Sequence, residues 1–328
     1  MQQMFPADIA HLRKESVMLT KQVLEIFDLL DREDASGALL KTYLESLGAE
    51  DVTVEKLGTG DQTTDSIRVC IPGTRGKRSG GQAPTLGILG RLGGLGARPE
   101  QIGFVSDGDG ALAALSVAAK LLDMRRKGDM LEGDVVVCTH IDPKAPTQPH
   151  DPVPFMGSSV DIETVNRAEV SDDIDAILCV DTTKGNRILN HNGIAISPTV
   201  KDGYILRVSD ALMDVMQIVT GKAPYVFAIT QQDITPYGND LYHLNSIMQP
   251  CTVTSAPVVG VAITAETMVP GCATGASRCE DVEAAARFML EAAKVFGRGK
   301  CPFYDEAEFE KIVALYGDMR HFQKLGRH

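Results

Sequence analysis

The sequence predicts an α/β protein with a mostly parallel central sheet and helices on both of its faces, on three observations. Strand-like and helix-like segments alternate through most of the chain, the pattern of repeated βαβ units. The segments GDVVVCTH, IDAILCVD and APVVGVAI contain continuous apolar runs, as strands do when helices cover both sheet faces. At 328 residues the chain is long enough to bury a sheet of that kind.

From the amino end, SVMLTKQVLEIFDLLDRED carries apolar residues at helical spacing and reads as an amphipathic helix. A second helix is expected from about Ala35 to Leu47, stopped at Gly48. VTVEKL reads as a strand, and the alternating DSIRVCIPG as a half-buried one ending in a Pro-Gly turn. Residues 73–83, GTRGKRSGGQA, read as a solvated hairpin loop, with an anion-contacting flap as the alternative. PTLGILG and IGFV are the next strands, and a helix is expected from near Asp107 to Gly128. Further helices are expected at about Asp210 to Thr220, Asn239 to Met248 and Glu280 to Phe296, between and after the apolar strands. Residues 1–300 are expected to form a single α/β domain with N-terminal helices, and 301–328 a peripheral C-terminal helix.

Composition narrows the function. A formal net charge of −12 leaves no basic excess to neutralise phosphates, which argues against a nucleic-acid partner. No apolar run is long enough to span a membrane, and the first residues lack the basic and apolar regions of a secretory signal. The seven cysteines stand singly with no C-x-x-C pair, so neither a disulfide framework nor a thiolate zinc knuckle is expected. A cytoplasmic location follows as the expectation.

In open α/β sheets ligands gather at the carboxyl ends of strands. Arg91 follows PTLGILG, Asp107 and Asp109 follow IGFV, His140 and Asp142 follow VVVCT, and Asp181 follows AILCV. Each has a plainer reading as a helix cap, a turn residue or a buried histidine; together they are a candidate site. The loop after His140 holds five prolines between Asp142 and Phe155, and carries Lys144, His150 and Asp151. A stiff, shaped loop at that edge is a functional candidate. His191 and His243 read as structural or peripheral. Cys272, in VPGCATGAS, could be a nucleophile, yet no partner base is evident. No G-x-S-x-G elbow, phosphate-binding P-loop or H-E-x-x-H helix occurs.

The order of these segments resembles the zinc aminopeptidase and carboxypeptidase superfamily, with its phosphorylase/hydrolase-like α/β fold. The likeness runs over roughly residues 30 to 297, through PTLGILGRLGG, SDGDGALAALSVAAKLL, GDVVVCTHIDP, AILCVDTT and PVVGVAITAETMVPGCATGASRCEDVEAAARFML. That family's zinc ligands are a His-x-Asp, a bridging Asp, a Glu-Glu pair, a further acid and a final His. The resemblance makes Asp107 the bridging Asp and Asp181 the later carboxylate. Elsewhere the chain departs from it: Arg91-Leu92-Gly93 stands for His-x-Asp, Pro143-Lys144 for the Glu-Glu pair, and VPGCATG for the final His region. The chain as a whole also resembles the bacterial family called domain of unknown function 1177, a likeness that brings no activity with it.

The resulting expectation is a hydrolase of amide or peptide-like bonds in a small anionic substrate, with a rebuilt site for zinc or manganese. Its ligands would be Asp107, His140, His150 and Asp181, its proton acceptor Asp142 or Asp109, and its substrate-binding residues Arg91 and Lys144. The alternative is a metal-free binding or regulatory protein that holds an anion through Arg91 and Lys144, with a metal-free enzyme using His140 or Cys272 as an outsider. Any lid must come from loops 73–83 and 143–157, or from a neighbouring subunit of a homo-oligomer.

Overall fold

The computed structural model describes residues 18–91, 103–149, 154–272 and 276–326. Helices α1 (Thr20–Leu30) and α2 (Gly37–Ser46) lead into a hairpin of β1 (Asp51–Thr59) and β2 (Gln62–Ile71). Next come β3 (Leu86–Gly90), α3 (Asp109–Arg126), β4 (Val135–Ile141) and a two-stranded ribbon of β5 (Thr147–Gln148) and β6 (Phe155–Met156). Helix α4 (Ile162–Glu169) and strand β7 (Ala176–Thr182) follow, then β8 (Gly193–Ile196), β9 (Val200–Lys201) and β10 (Tyr204–Ile205). The chain continues through α5 (Asp210–Thr220), β11 (Val258–Thr264), α6 (Cys279–Gly297) and α7 (Glu306–Tyr316).

One mixed sheet has the order β1-β2-β4-β3-β7-β11-β9-β10, with β8 also paired to β11. Its centre, β4-β3-β7-β11, is parallel, and its flanks are antiparallel. The four parallel strands therefore end at one edge, and the residues that follow them meet there. Alternate residues of the apolar runs feed two cores. Ile88, Val137, Leu178 and Val261 pack with α1, α3, α5 and α6. Leu89, Val136, Ile177 and Val258 pack with Phe227, Ile234, Ile247 and Met248 on the other face.

That second face differs from expectation. The helix expected over Asn239 to Met248 is absent; loop residues lead into a 3₁₀ turn at Ser246–Thr252 that carries Pro250. Gly238 and Asp240 have φ of +87° and +60°, outside the helical region. The Asp233 carboxylate then takes the backbone N–H groups of Leu244 and Asn245 at 2.5 and 2.8 Å, so the segment's donors are spent on a side chain rather than on a helix. Helix α4, amphipathic but not among the expected helices, packs against β2 and β4. Asp161 caps it by accepting the Thr164 N–H at 2.9 Å.

Loop 73–83 lies at the opposite, amino edge of the parallel strands and is no lid. Asp134, just before β4, accepts the N–H groups of Gly73 and Arg78 at 2.8 and 2.9 Å. Arg78 pairs with Asp51 and Asp173, and Lys77 with Asp175 before β7. The carboxyl-terminal segment is likewise not one helix: α7 stops at Gly317 (φ +83°), and a 3₁₀ turn at Arg320–Gln323 follows. Among the described residues no helix is long and apolar enough to cross a membrane.

The site depends on how closely α3 approaches the sheet. Almost every residue of α3 is buried, so it is a central helix rather than a surface one. At its start Gly110 lies so near the strand ends that a Cβ would sit 2.6 Å from Val180 O and 2.7 Å from Arg91 O. Gly90 meets the same contact from the strand side, 2.6 Å from Gly110 O. Because these neighbours are backbone, they cannot swing away. Gly110→Ala is therefore expected to destabilise the protein by about 2–3 kcal/mol, read as a lower denaturant midpoint with unchanged slope. An unaltered midpoint would contradict the contact.

Candidate functional site

The ends of β3 and β7 and the 3₁₀ turn Ser106–Gly108 that leads into α3 form the floor of a cleft of about 900 Å³. Arg91, Asp107, Met156, Asn166, Asp181 and Tyr237 are among its lining residues. Asp107 is fixed through its backbone, whose N–H donates to Gly271 O at 2.9 Å, and its Oδ2 accepts the Met156 N–H at 3.3 Å. Gly271 is needed here: a Cβ would fall 1.9 Å from Asp107 Oδ1. Across the cleft floor, Asp181 Oδ1 accepts the Thr182 N–H at 2.7 Å and Oδ2 the Ser246 hydroxyl at 3.1 Å. The Thr182 hydroxyl donates to Ser106 O at 2.6 Å and ties the end of β7 to the entry of α3.

Both carboxylates are buried, and both are pushed up to about 7. Loss of water is the main cause for each, since a low-dielectric site disfavours the charged form. Nearby negative charge adds to it, Asp109 acting on Asp107 and Asp107 on Asp181. Asp109 itself lies behind the cleft lining. Burial raises it to about 6, opposed by Lys184, whose Nζ is 3.3 Å from Oδ2, and by the Ser277 hydroxyl, which donates to Oδ1.

Arg91 continues β3 and sends its backbone N–H to Val180 O at 2.7 Å. Its side chain is 2% exposed and lies in a buried polar chain. Nη2 donates to Asn166 Oδ1 and sits 3.2 Å from Glu169 Oε2. Glu169 Oε1 in turn faces His140 Nδ1 at 3.0 Å, and Asn166 Nδ2 donates to Gln249 O at 3.2 Å. Burial is the largest influence and disfavours the Arg91 charge, but Glu169, Cys179 and Asp181 together outweigh it and hold the guanidinium charged.

The structure therefore brings three of the expected residues, Arg91, Asp107 and Asp181, to the cleft, with Asp109 one layer behind. His140 points to Glu169 in the same buried layer as Arg91 rather than joining the two aspartates. Asp142 is buried outside the cleft lining and organises the proline-rich loop, accepting the N–H groups of Lys144 and Ser159 at 3.2 and 3.0 Å. The Lys144 side chain is exposed. His150 and Asp151 lie outside the described residues. His191 stacks on Tyr225 at 3.7 Å, away from the site, while His243 lines the cleft rim beside Thr235. Cys272 is buried, with its thiol directed at Pro154 O. Among the described residues no three His, Cys, Asp or Glu side chains cluster as a metal-ion cage.

Asn166, Glu169, Lys184, Tyr237 and Ser246 escaped the sequence reading. Only the first two left a trace: they stand three residues apart in α4, on one helical face, and that face is buried.

Two tests follow from this geometry. Removing one member of the Arg91–Glu169 pair, by Arg91→Met or Glu169→Gln, leaves a buried charge without its partner and is expected to cost about 3–5 kcal/mol. The double variant should lose much less than the sum of the two in denaturant unfolding; strict additivity would show that they are uncoupled. The second concerns pH. In the metal-free protein the folded chain keeps protons on Asp107 and Asp181 up to about 7, whereas ordinary aspartates release them near 3.8. Between those values the folded state binds more protons than the unfolded one, so this contribution to stability is full at the acid end and lost as pH rises through about 7. Asp181→Asn should flatten that decline across about pH 4 to 7; identical pH profiles for both proteins would refute the coupling.

Among solved structures, the fold is similar to that of the bottromycin maturation enzyme BotP in complex with Mn. The TM-score is 0.52 at 11% identity, over 84% of this chain and 70% of that one. The LapA aminopeptidase of Legionella pneumophila gives a TM-score of 0.49 at 12% identity, over 86% of this chain and 71% of that one. At such identity the likeness to BotP is one of fold alone, an α/β scaffold. A comparison with curated proteins gives no match. The model of a family described as "Protein of unknown function (DUF1177)" matches residues 55–326, most of the chain, and the protein belongs to that family.

Proposed function

We propose that the protein is a hydrolase of amide or peptide-like bonds in small substrates, and that it works with one divalent cation held by Asp107 and Asp181. One observation carries the reading: two buried carboxylates from different elements open onto one cleft, with Asp107 raising Asp181. Such a pair is poorly matched by the protein alone, and a cation supplies the missing charge. The donor set also bears on which cation fits. His140 faces Glu169, and the ring nitrogens of His243 are taken up by Leu241 O and Thr235 O, so the two proposed ligands are both carboxylates, which suit manganese better than zinc. BotP, a structural neighbour, is described in complex with Mn, which agrees with this choice.

When bound, the cation would polarise the scissile carbonyl as a Lewis acid. The chain's own residues do the positioning. Ser246 and the Thr182 N–H orient Asp181, while Gly271 and the Met156 N–H orient Asp107. Lys184 and Ser277 lock Asp109 and with it the first turn of α3. Asp109 therefore acts behind the reacting groups, as a positioning residue. Tyr237, Leu241 and Tyr242 line the mouth and shield a bound substrate from water.

Calorimetric titration of the metal-free protein with Mn²⁺ and Zn²⁺ tests the reading. The expected outcome is about one Mn²⁺ per chain, with affinity reduced at least about tenfold in Asp107→Asn and in Asp181→Asn. Wild-type protein that takes up neither metal, or variants that bind as well as wild type, would overturn it. Mn²⁺-dependent cleavage of short peptides or N-acyl amino acids is the companion measurement.

A further inference from the structure

We infer that the cleft contains a carboxylate subsite built on Arg91, so that its substrates carry a carboxylate group. The inference deepens the proposed hydrolase and rests on that reading for the word substrate; the subsite itself stands on Arg91 alone. Arg91 lines the floor of the cleft; its Nη2 is engaged by Asn166 and Glu169, and the buried Cys179 thiol stands against the guanidinium. Its Nε and Nη1 are buried and have no hydrogen-bond partner among the described residues. A guanidinium carries five N–H bonds. Those on Nε and Nη1 are thus left without an acceptor, and an unmet buried donor costs about 1–3 kcal/mol. A ligand oxygen that enters from the cleft and accepts them recovers that cost.

Arg91 is held ready for this. Its backbone is anchored to β7 by the bond to Val180 O, and Asn166 and Glu169, three residues apart on α4, fix Nη2 from behind. Little side-chain freedom remains to be lost when a ligand binds. The walls favour a carboxylate over a phosphate. Asp107, Asp161, Glu163 and Asp181 all line the cleft, and their summed negative charge opposes a dianion more than a monoanion. The rim adds apolar contact from Met156, Ile162, Leu241 and Tyr242. A compact carboxylate with an apolar body and an amide-type bond is the ligand this lining accommodates.

Binding is measured without metal, so failure of the subsite and failure of the cation site are separate results. N-acetyl-leucine, a monoanion, is titrated against its uncharged counterpart N-acetyl-leucinamide, with inorganic phosphate as a third probe. The wild-type chain is expected to bind the acid at least about tenfold more tightly than the amide, the worth of one charge-assisted hydrogen bond, and to prefer it to phosphate. Arg91→Lys keeps the charge but loses the planar donor set, and should bring the acid down to the level of the amide while Mn²⁺ uptake persists. If Arg91→Lys does not fold, the preference of the wild type for the acid over the amide decides alone. Equal binding of the two, stronger binding of phosphate, or undiminished binding of the acid by folded Arg91→Lys would overturn the inference.

Discussion

The site depends on a contact between pieces of backbone. Gly110, at the start of α3, rests against the carbonyls of Arg91 and Val180, and Gly90 rests against Gly110. With no side chain between them, helix and sheet stand closer than ordinary helix–sheet packing permits. Asp107 on the helix entry and Asp181 on the strand end thereby share one cavity. The bond from Thr182 to Ser106 O closes the same junction from the side. Any side chain at Gly110 would force the two acids apart.

Around this junction the protein keeps more buried charge than a stable core requires. Arg91, Glu169, Asp107, Asp109, Asp181 and Lys184 all lie within or just behind the cleft floor. Replacing buried ions with apolar residues of similar volume is often neutral or stabilising. Retaining them is therefore a reason to look for function here rather than for stability. The opposite edge makes the contrast plain, because there Asp134 and the surface pairs of Lys77 and Arg78 serve only to hold a loop.

The parallel centre of the sheet was legible in the sequence because burial on both faces leaves a simple mark, a continuous apolar run; the short strands β8, β9 and β10 left none. Helices α3, α5 and α6 were legible from period and composition. The segment 239–248 misled, since its apolar spacing resembles a helix while Asp233, eleven residues before Leu244, takes the donors a helix would need. Of the site, the strand-end rule located Arg91 and Asp181; it put Asp107 after IGFV, whose described residues 103–105 form no strand, and that acid stands in the 3₁₀ turn Ser106–Gly108 instead. The rule also nominated His140 and Asp142, whose partners, Glu169 and Ser159, lie 29 and 17 residues further along the chain. Residue type and local position do not reveal which way such side chains face. Lys184 is hidden for the same reason: its tie to Asp109 spans 75 residues.

The strand order has a consequence for synthesis. Strand β3 lies between β4 and β7, both of which follow it in the chain. As the chain leaves the ribosome, β3 has two open edges, and Arg91 is a cation with no counter-ion until α4 delivers Glu169. Pairings that distant are slow to form and leave strand edges exposed meanwhile. A nascent chain that ends before β7 thus contains Arg91 and Asp107 but no cleft, and the sheet keeps an open edge until β11 has joined β7.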